Sequence, residues 1–143
     1  MRAANIVIVE DNPADVLLVQ IALRESGIPH ELTRFETGEE AVAALCSSEG
    51  SANGLRPDAI LLDLNTPRSD GFDVLAKLKA HPFLAKVPIA ILSSSTAKSD
   101  KHRTQLIGAD RYIEKPSQLN DFLKTVGGAV KEMLAQSASS GRG

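Results

Sequence analysis

Near its start the chain reads Ile6-Val7-Ile8-Val9-Glu10-Asp11-Asn12-Pro13: four β-branched apolar residues, two acids, then a turn signal. A strand with one wet face alternates apolar with polar side chains. This run does not alternate, so it predicts a strand covered on both faces, as in a parallel sheet sandwiched between helices. Pro13 suits the first turn of a helix, where its missing N–H costs nothing. Val16, Leu17, Val19, Ile21, Ala22 and Leu23 then follow at helical spacing, until Gly27 and Pro29 stop them. The two acids therefore sit at the carboxyl end of a buried strand, just before a helix.

The same strand-then-helix phrase recurs four more times. Residues 30–35 alternate and read as a weaker strand at a sheet edge. Thr37, with Glu40 three residues on, forms a capping box for a helix running to about Ser48. Residues 47–57, rich in Ser and Gly, read as a loop. Residues 58–63 hold the second fully apolar run, Ala59-Ile60-Leu61-Leu62, which ends on Asp63. A helix carrying Phe72, Val74, Leu75 and Leu78 closes before Pro82, and residues 87–92 form the fourth strand. A polar stretch, residues 93–100, leads into a short helix with few apolar anchors that ends at Gly108. Residues 110–114 are the fifth strand. Leu119, Phe122, Leu123, Val126, Val130, Met133 and Leu134 then mark a long amphipathic helix, in spite of Gly127-Gly128. Residues 1–135 make one domain, and residues 136–143 read as a disordered tail. Five such units in series predict an α/β protein: a doubly wound, five-stranded parallel sheet in the order 2-1-3-4-5, with helices on both faces. The weaker strands 2 and 5 belong at its edges.

At 143 residues the chain holds one domain, and its net charge of -2 gives nucleic acid no basic field to grip. No Trp and one Tyr argue against stacking bases or flavins on aromatic faces. The one cysteine, Cys46, lies in an apolar helical pattern and reads as an inert core thiol, which fits a reducing, cytoplasmic setting. Neither a signal peptide nor a membrane-spanning run is expected. His30, His81 and His102 are scattered, without ligand spacing. Lys98, Asp100, Lys101 and Arg103 read as a solvated helix face.

Ligands of open α/β sheets bind outside the carboxyl ends of the strands, where the strand order reverses. Here that point lies between strands 1 and 3. The residues at the strand ends are Glu10 and Asp11, Asp63, Ser93, and Lys115. Taken singly, each has an ordinary reading as a turn acid, a helix cap or a surface lysine. Taken together, they bring three carboxylates, a hydroxyl and an ammonium from four chain segments into one crevice. Crowded carboxylates need a cation. Oxygen donors without His or Cys select a hard one, Mg²⁺ keeping some of its waters. The ammonium and hydroxyl then face an anion. Such a set suits an aspartyl-phosphate site, where Asp attacks phosphorus and cations neutralise the equatorial oxygens.

These residues also carry a resemblance. Val7-Ile8-Val9-Glu10-Asp11-Asn12, Leu62-Asp63-Leu64-Asn65-Thr66-Pro67 with Asp70-Gly71, Ile91-Leu92-Ser93-Ser94-Ser95, and Gly108-Ala109-Asp110-Arg111-Tyr112-Ile113-Glu114-Lys115-Pro116 resemble, at this spacing, bacterial response-regulator receivers with the flavodoxin/CheY-like fold. The resemblance spans about residues 4–134. It implies a two-component signalling protein in which Asp63 accepts a phosphoryl group from a sensor histidine kinase and switches protein–protein contacts. It implies that Asp11, Asp63 and the backbone carbonyl of Asn65 bind Mg²⁺, with Glu10 acting through water. Ser93 and Lys115 would hold phosphoryl oxygens, Tyr112 would turn inward as Ser93 moves, and Lys115-Pro116 would be a cis peptide. Thr66 stands where the family usually has Met or Leu. The Glu10–Asp15 opening, the long loop before strand 3 and the Lys115-Pro116-Ser117 ending are similar to stand-alone regulators paired with phytochrome-type histidine kinases. The signal would leave through a downstream protein or a phosphotransfer partner, and the face built by the fourth helix, fifth strand and fifth helix offers a surface to a homodimer partner or a kinase domain. Three rivals remain. A pseudo-receiver would lack an acid, the hydroxyl or the lysine, and this chain keeps all of them. A dehalogenase-type phosphatase needs an acid two residues after its nucleophile, where Asn65 stands. A flavodoxin-like carrier needs the missing aromatics.

Overall fold

A computed structural model describes residues 3–46, 56–66, 69–115 and 118–139. In chain order the elements are β1 (Ala4–Val9), α1 (Pro13–Glu25), β2 (His30–Phe35), α2 (Gly38–Leu45), β3 (Ala59–Asp63), α3 (Gly71–Ala80), β4 (Ile89–Ser93), α4 (Lys98–Ile107), β5 (Arg111–Glu114) and α5 (Leu119–Ser139). The strands form one sheet in the order β2-β1-β3-β4-β5, parallel at every pairing, as the alternation of runs predicts.

The unbroken apolar runs have a direct physical use. Successive side chains on a strand point to opposite faces, so each run feeds two cores. Ile6, Ile8, Ala59, Leu61, Ala90 and Leu92 pack against α1 and α5 residues such as Val19, Leu23, Val126 and Met133. Val7, Val9, Ile60, Leu62, Ile89 and Ile91 pack against Ala41 and Leu45 of α2 and Val74, Leu75 and Leu78 of α3. A polar residue within Ile6–Val9, Ala59–Leu62 or Ile89–Leu92 would sit in one core or the other. The edges differ as expected: β2 has no fully buried residue, and β5 has one, Ile113.

Local signals place the helix ends. Asn12 caps α1 by accepting from the Ala14 N–H at 2.9 Å, and Thr37 caps α2 by accepting from Glu40 N–H at 3.1 Å. Gly127 is explained by packing. A Cβ there would collide with Ser26 Oγ at the end of α1, so its absence lets α5 lie close against α1. β4 starts at Ile89, two residues later than the apolar pattern suggests, because the Val87 N–H turns back to Leu84 and Pro88 has none to give. α5 continues to Ser139, past the boundary expected at 135. Ala135 and Gln136 are good helix formers, and Gln136 donates to Asp110 at 3.1 Å. The rest of the expected tail, and most of the loop before β3, lie outside the described residues.

Lys98 and Arg103 of α4 are exposed as expected, while Asp100 and Lys101 are less solvated than their pattern suggests. Asp100 accepts from the Ser95 hydroxyl at 2.8 Å, Lys101 pairs with Glu114 beside the Tyr112 ring, and the Arg103 guanidinium lies 3.9 Å over Phe72. Only Thr104 is buried, Ile107 packs against the core on the α2–α3 side, and Leu106 is 73% exposed, so α4 is held by few apolar contacts besides these polar ties. Cys46 is half-buried and packs against the α2–α3 side of the sheet, where burial pushes its thiol up. Among the described residues no helix is long and apolar enough to cross a membrane.

Candidate functional site

The register of the sheet brings the strand ends level. Val9 of β1 lies opposite Leu62 of β3, so the next residues, Glu10 and Asp63, are neighbours. Asp63 lies opposite Leu92 of β4, and Ser93 lies opposite Glu114 of β5, which sets Ser93 and Lys115 one step beyond. The Lys115 N–H donates to the Ser93 carbonyl at 2.8 Å and fixes that step. Gly71 closes the far wall. A Cβ there would fall 2.6 Å from the Leu64 backbone, so only glycine lets α3 start this near the Asp63 loop.

Glu10 and Asp63 are 1% and 4% exposed, a costly place for two acids. Asp11 is exposed at the rim. One oxygen from each of the three lies within 4.8 Å of the others, the one such group among the described residues. Burial, together with hydrogen bonding and charge from Asp63, pushes the Glu10 carboxyl up to about 7, against a pull down from Lys115. An all-oxygen set with two buried acids fits a hard divalent cation, which would hold Glu10 ionised.

Lys115 already supplies one positive charge. Its Nζ donates to Asp15 Oδ2 at 2.9 Å, Glu10 Oε1 at 3.0 Å and Asp63 Oδ2 at 3.2 Å. Burial works against the ammonium, but the bond to Asp15 and the charges of Asp63 and Glu10 outweigh it and raise Lys115 above the ordinary lysine range. Asp63 Oδ1 accepts from the Asn65 N–H at 2.9 Å, which fixes the carboxylate plane. Ser93 is fully buried, and its Oγ accepts from the Ser95 N–H at 3.0 Å, so its own proton is left to donate elsewhere. The Tyr112 hydroxyl donates to the Ser95 carbonyl at 3.0 Å. Ser95 thus touches both Ser93 and Tyr112. Thr66 is buried, but its hydroxyl finds no partner among the described residues. Pro116 and its expected cis bond lie outside the described residues.

Two contacts were not anticipated. Asp15 joins Lys115, and its one signal is its spacing: it stands four residues after Asp11, in the first turn of α1. Arg34 of β2 donates to the carbonyls of Glu10 at 3.0 Å and Asp11 at 2.9 Å, clamping the loop that presents both acids. Nothing in an alternating edge strand distinguishes that arginine.

The geometry agrees with the comparisons. Residues 6–127 match the response regulator receiver domain. The response regulator Rcp1 of Synechocystis sp. is 39% identical over 123 residues, covering 86% of this chain and 84% of that protein. The crystal structure of the phosphorylated cyanobacterial phytochrome response regulator RcpA superposes with a TM-score of 0.84 at 39% identity, over 94% of this chain and 96% of that one. The Mn²⁺-bound form of Rcp1 gives 0.82 at 37% identity, over 92% and 94%. The receiver domain of the Pseudomonas aeruginosa PAO1 sensor kinase PA1611, with a magnesium ion in its active-site cleft, gives 0.69 at 25% identity, over 91% and 99%. With its order of strands, its acidic cleft and this likeness along nearly its whole length, the chain belongs to the response regulator receiver domains, phosphoacceptor signalling modules rather than conventional enzymes.

Proposed function

We propose that Asp63 is the phosphoacceptor, with Mg²⁺ held by Asp11, Asp63 and the Asn65 carbonyl, and by Glu10 through water. The observation that carries this reading is the meeting of Glu10, Asp63 and Lys115 at 3.0 Å and 3.2 Å at the reversal of the strand order. When bound, the metal would offset the acids and polarise the phosphoryl oxygens. An Asp63 oxygen attacks phosphorus, a new O–P bond forms, and the P–N bond to the kinase's phosphohistidine breaks with its electron pair left on the imidazole nitrogen. Lys115 then donates a hydrogen bond to one phosphoryl oxygen, and the Ser93 hydroxyl donates one to another. Because Ser95 is bonded to both Ser93 and Tyr112, a shift of Ser93 would pull on the start of α4 and on the Tyr112 ring. The output surface on this reading is the face of α4, β5 and α5, where Leu106 stands exposed, open to a second copy or a downstream protein.

The donor on this reading is a phytochrome-type histidine kinase, supported by the 39% identity to RcpA and Rcp1. The chain would act in the cytoplasm, where a lone thiol stays reduced. Incubation with an autophosphorylated kinase of this type should move the label to the chain faster than a histidine kinase of another class does. Equal rates from both would discard the phytochrome assignment, and no transfer from either would discard the kinase-fed reading.

A further inference from the structure

A lysine ammonium has three N–H donors, and the cleft supplies Lys115 with three carboxylates. In the loaded site proposed above, on which this inference rests, two of them have other duties. Asp63 becomes the acyl phosphate, and Glu10 turns to water on the metal. Asp15 has neither task. Its Oδ2 nevertheless makes the shortest of the three contacts, 2.9 Å, from the first turn of α1 and 100 residues away in the chain. A carboxylate in a first turn also suits the helix dipole. That benefit does not require the side chain to reach Lys115, and here it does.

We propose that Asp15 is a positioning residue that tethers the Lys115 ammonium on the α1 side of the cleft and sets how firmly it holds a phosphoryl oxygen on Asp63. While Asp15 holds one donor, the donors freed by Glu10 and Asp63 reach the phosphoryl group from a fixed position, and the Asp15 charge offsets part of the ammonium's pull on it. Asp15 thereby weakens the phosphorylated state and shortens its lifetime. Asp15→Asn keeps the shape and one acceptor but loses the charge. Asp15→Ala loses both.

The test uses the full chain with Mg²⁺ and beryllofluoride, a phosphoryl mimic, titrated by calorimetry. Asp15→Asn should tighten beryllofluoride binding about threefold and Asp15→Ala up to about tenfold, within the couplings seen between touching charged groups. The half-life of the acyl phosphate formed from acetyl phosphate should lengthen in the same order. In a Lys115→Met background, where the tether has nothing to hold, both Asp15 substitutions should shift these values by less than about twofold. If Lys115→Met binds too weakly for calorimetry, the acyl-phosphate half-lives close the cycle. Asp15 variants equal to wild type would overturn the tether. So would variants that change binding by the same factor with and without Lys115, since Asp15 would then act directly on the anion. A wild-type chain that takes up neither ligand would instead sink the phosphoacceptor reading, and the tether with it.

Discussion

Asp11→Ala should weaken Mg²⁺ binding at least about a hundredfold, since removal of a mere outer-shell partner already costs roughly 10–100-fold. The substitution is a clean probe. Asp11 is exposed, and the fold uses its backbone carbonyl, held by Arg34, rather than its carboxylate. Thermal unfolding in EDTA should therefore stay near wild type while the metal affinity collapses. Glu25→Ala, at the far end of α1, should leave both unchanged. The wild-type affinity also carries a pH signature. Glu10 must be ionised to serve the metal, and it is held up to about 7 in the metal-free protein. Ionisation of Glu10 is thus disfavoured by folding between its ordinary value and about 7. Mg²⁺ affinity should fall as pH drops below 7, with proton release on binding, and level off above it. Calorimetry in two buffers of different ionisation enthalpy reads both effects. Undiminished affinity in Asp11→Ala would contradict the metal site.

Lys115→Ala should separate chemistry from switching. Asp63 and the metal acids remain, so small phosphodonors should still load the protein. What is lost is a cation that changes partner when the phosphoryl group arrives, and a population shift needs such a differential contact. Amide exchange of the wild type with beryllofluoride should show altered protection over residues 93–107 and 111–115. Lys115→Ala and Ser93→Ala should lose most of that response and keep only changes at loops touching the ligand. A full response in Lys115→Ala would end its assignment as a switch residue. The same substitution strips the cation from two buried acids. In EDTA it should cost about 3 kcal/mol, the low end for breaking a buried pair, because Glu10 can take up a proton instead. The raised Lys115 gives the sign: its contribution is complete below the ordinary lysine range and fades only at strongly alkaline pH. At neutral pH the whole loss should therefore appear, and Mg²⁺ should restore most of it.

How much of this was legible follows from where each signal lies. The strand order and the residues at strand ends could be read because Ile6–Val9 and Ala59–Leu62 are apolar on both faces, which fixes them as central, and an acid follows each run directly. The Thr37 cap was legible because it is local. Asp15 and Arg34 were not, since their roles depend on how far a side chain reaches between elements distant in sequence. Arg34 acts on a neighbouring loop's carbonyls, which any residue could present. The α4 charges misled for a related reason: a polar helix pattern does not reveal that Lys101 and Asp100 meet Glu114 and Ser95. Gly127 looked like a weak point in α5 until Ser26 supplied its reason.

Asp63 alone should carry the phosphoryl group. Intact mass after incubation with acetyl phosphate and Mg²⁺ tests it most directly. Wild type should gain a single phosphoryl group that is stable in acid and lost in base, EDTA should prevent the gain, and Asp63→Asn should gain none. An Asp63→Asn protein that gains the full mass at the wild-type rate would contradict the account.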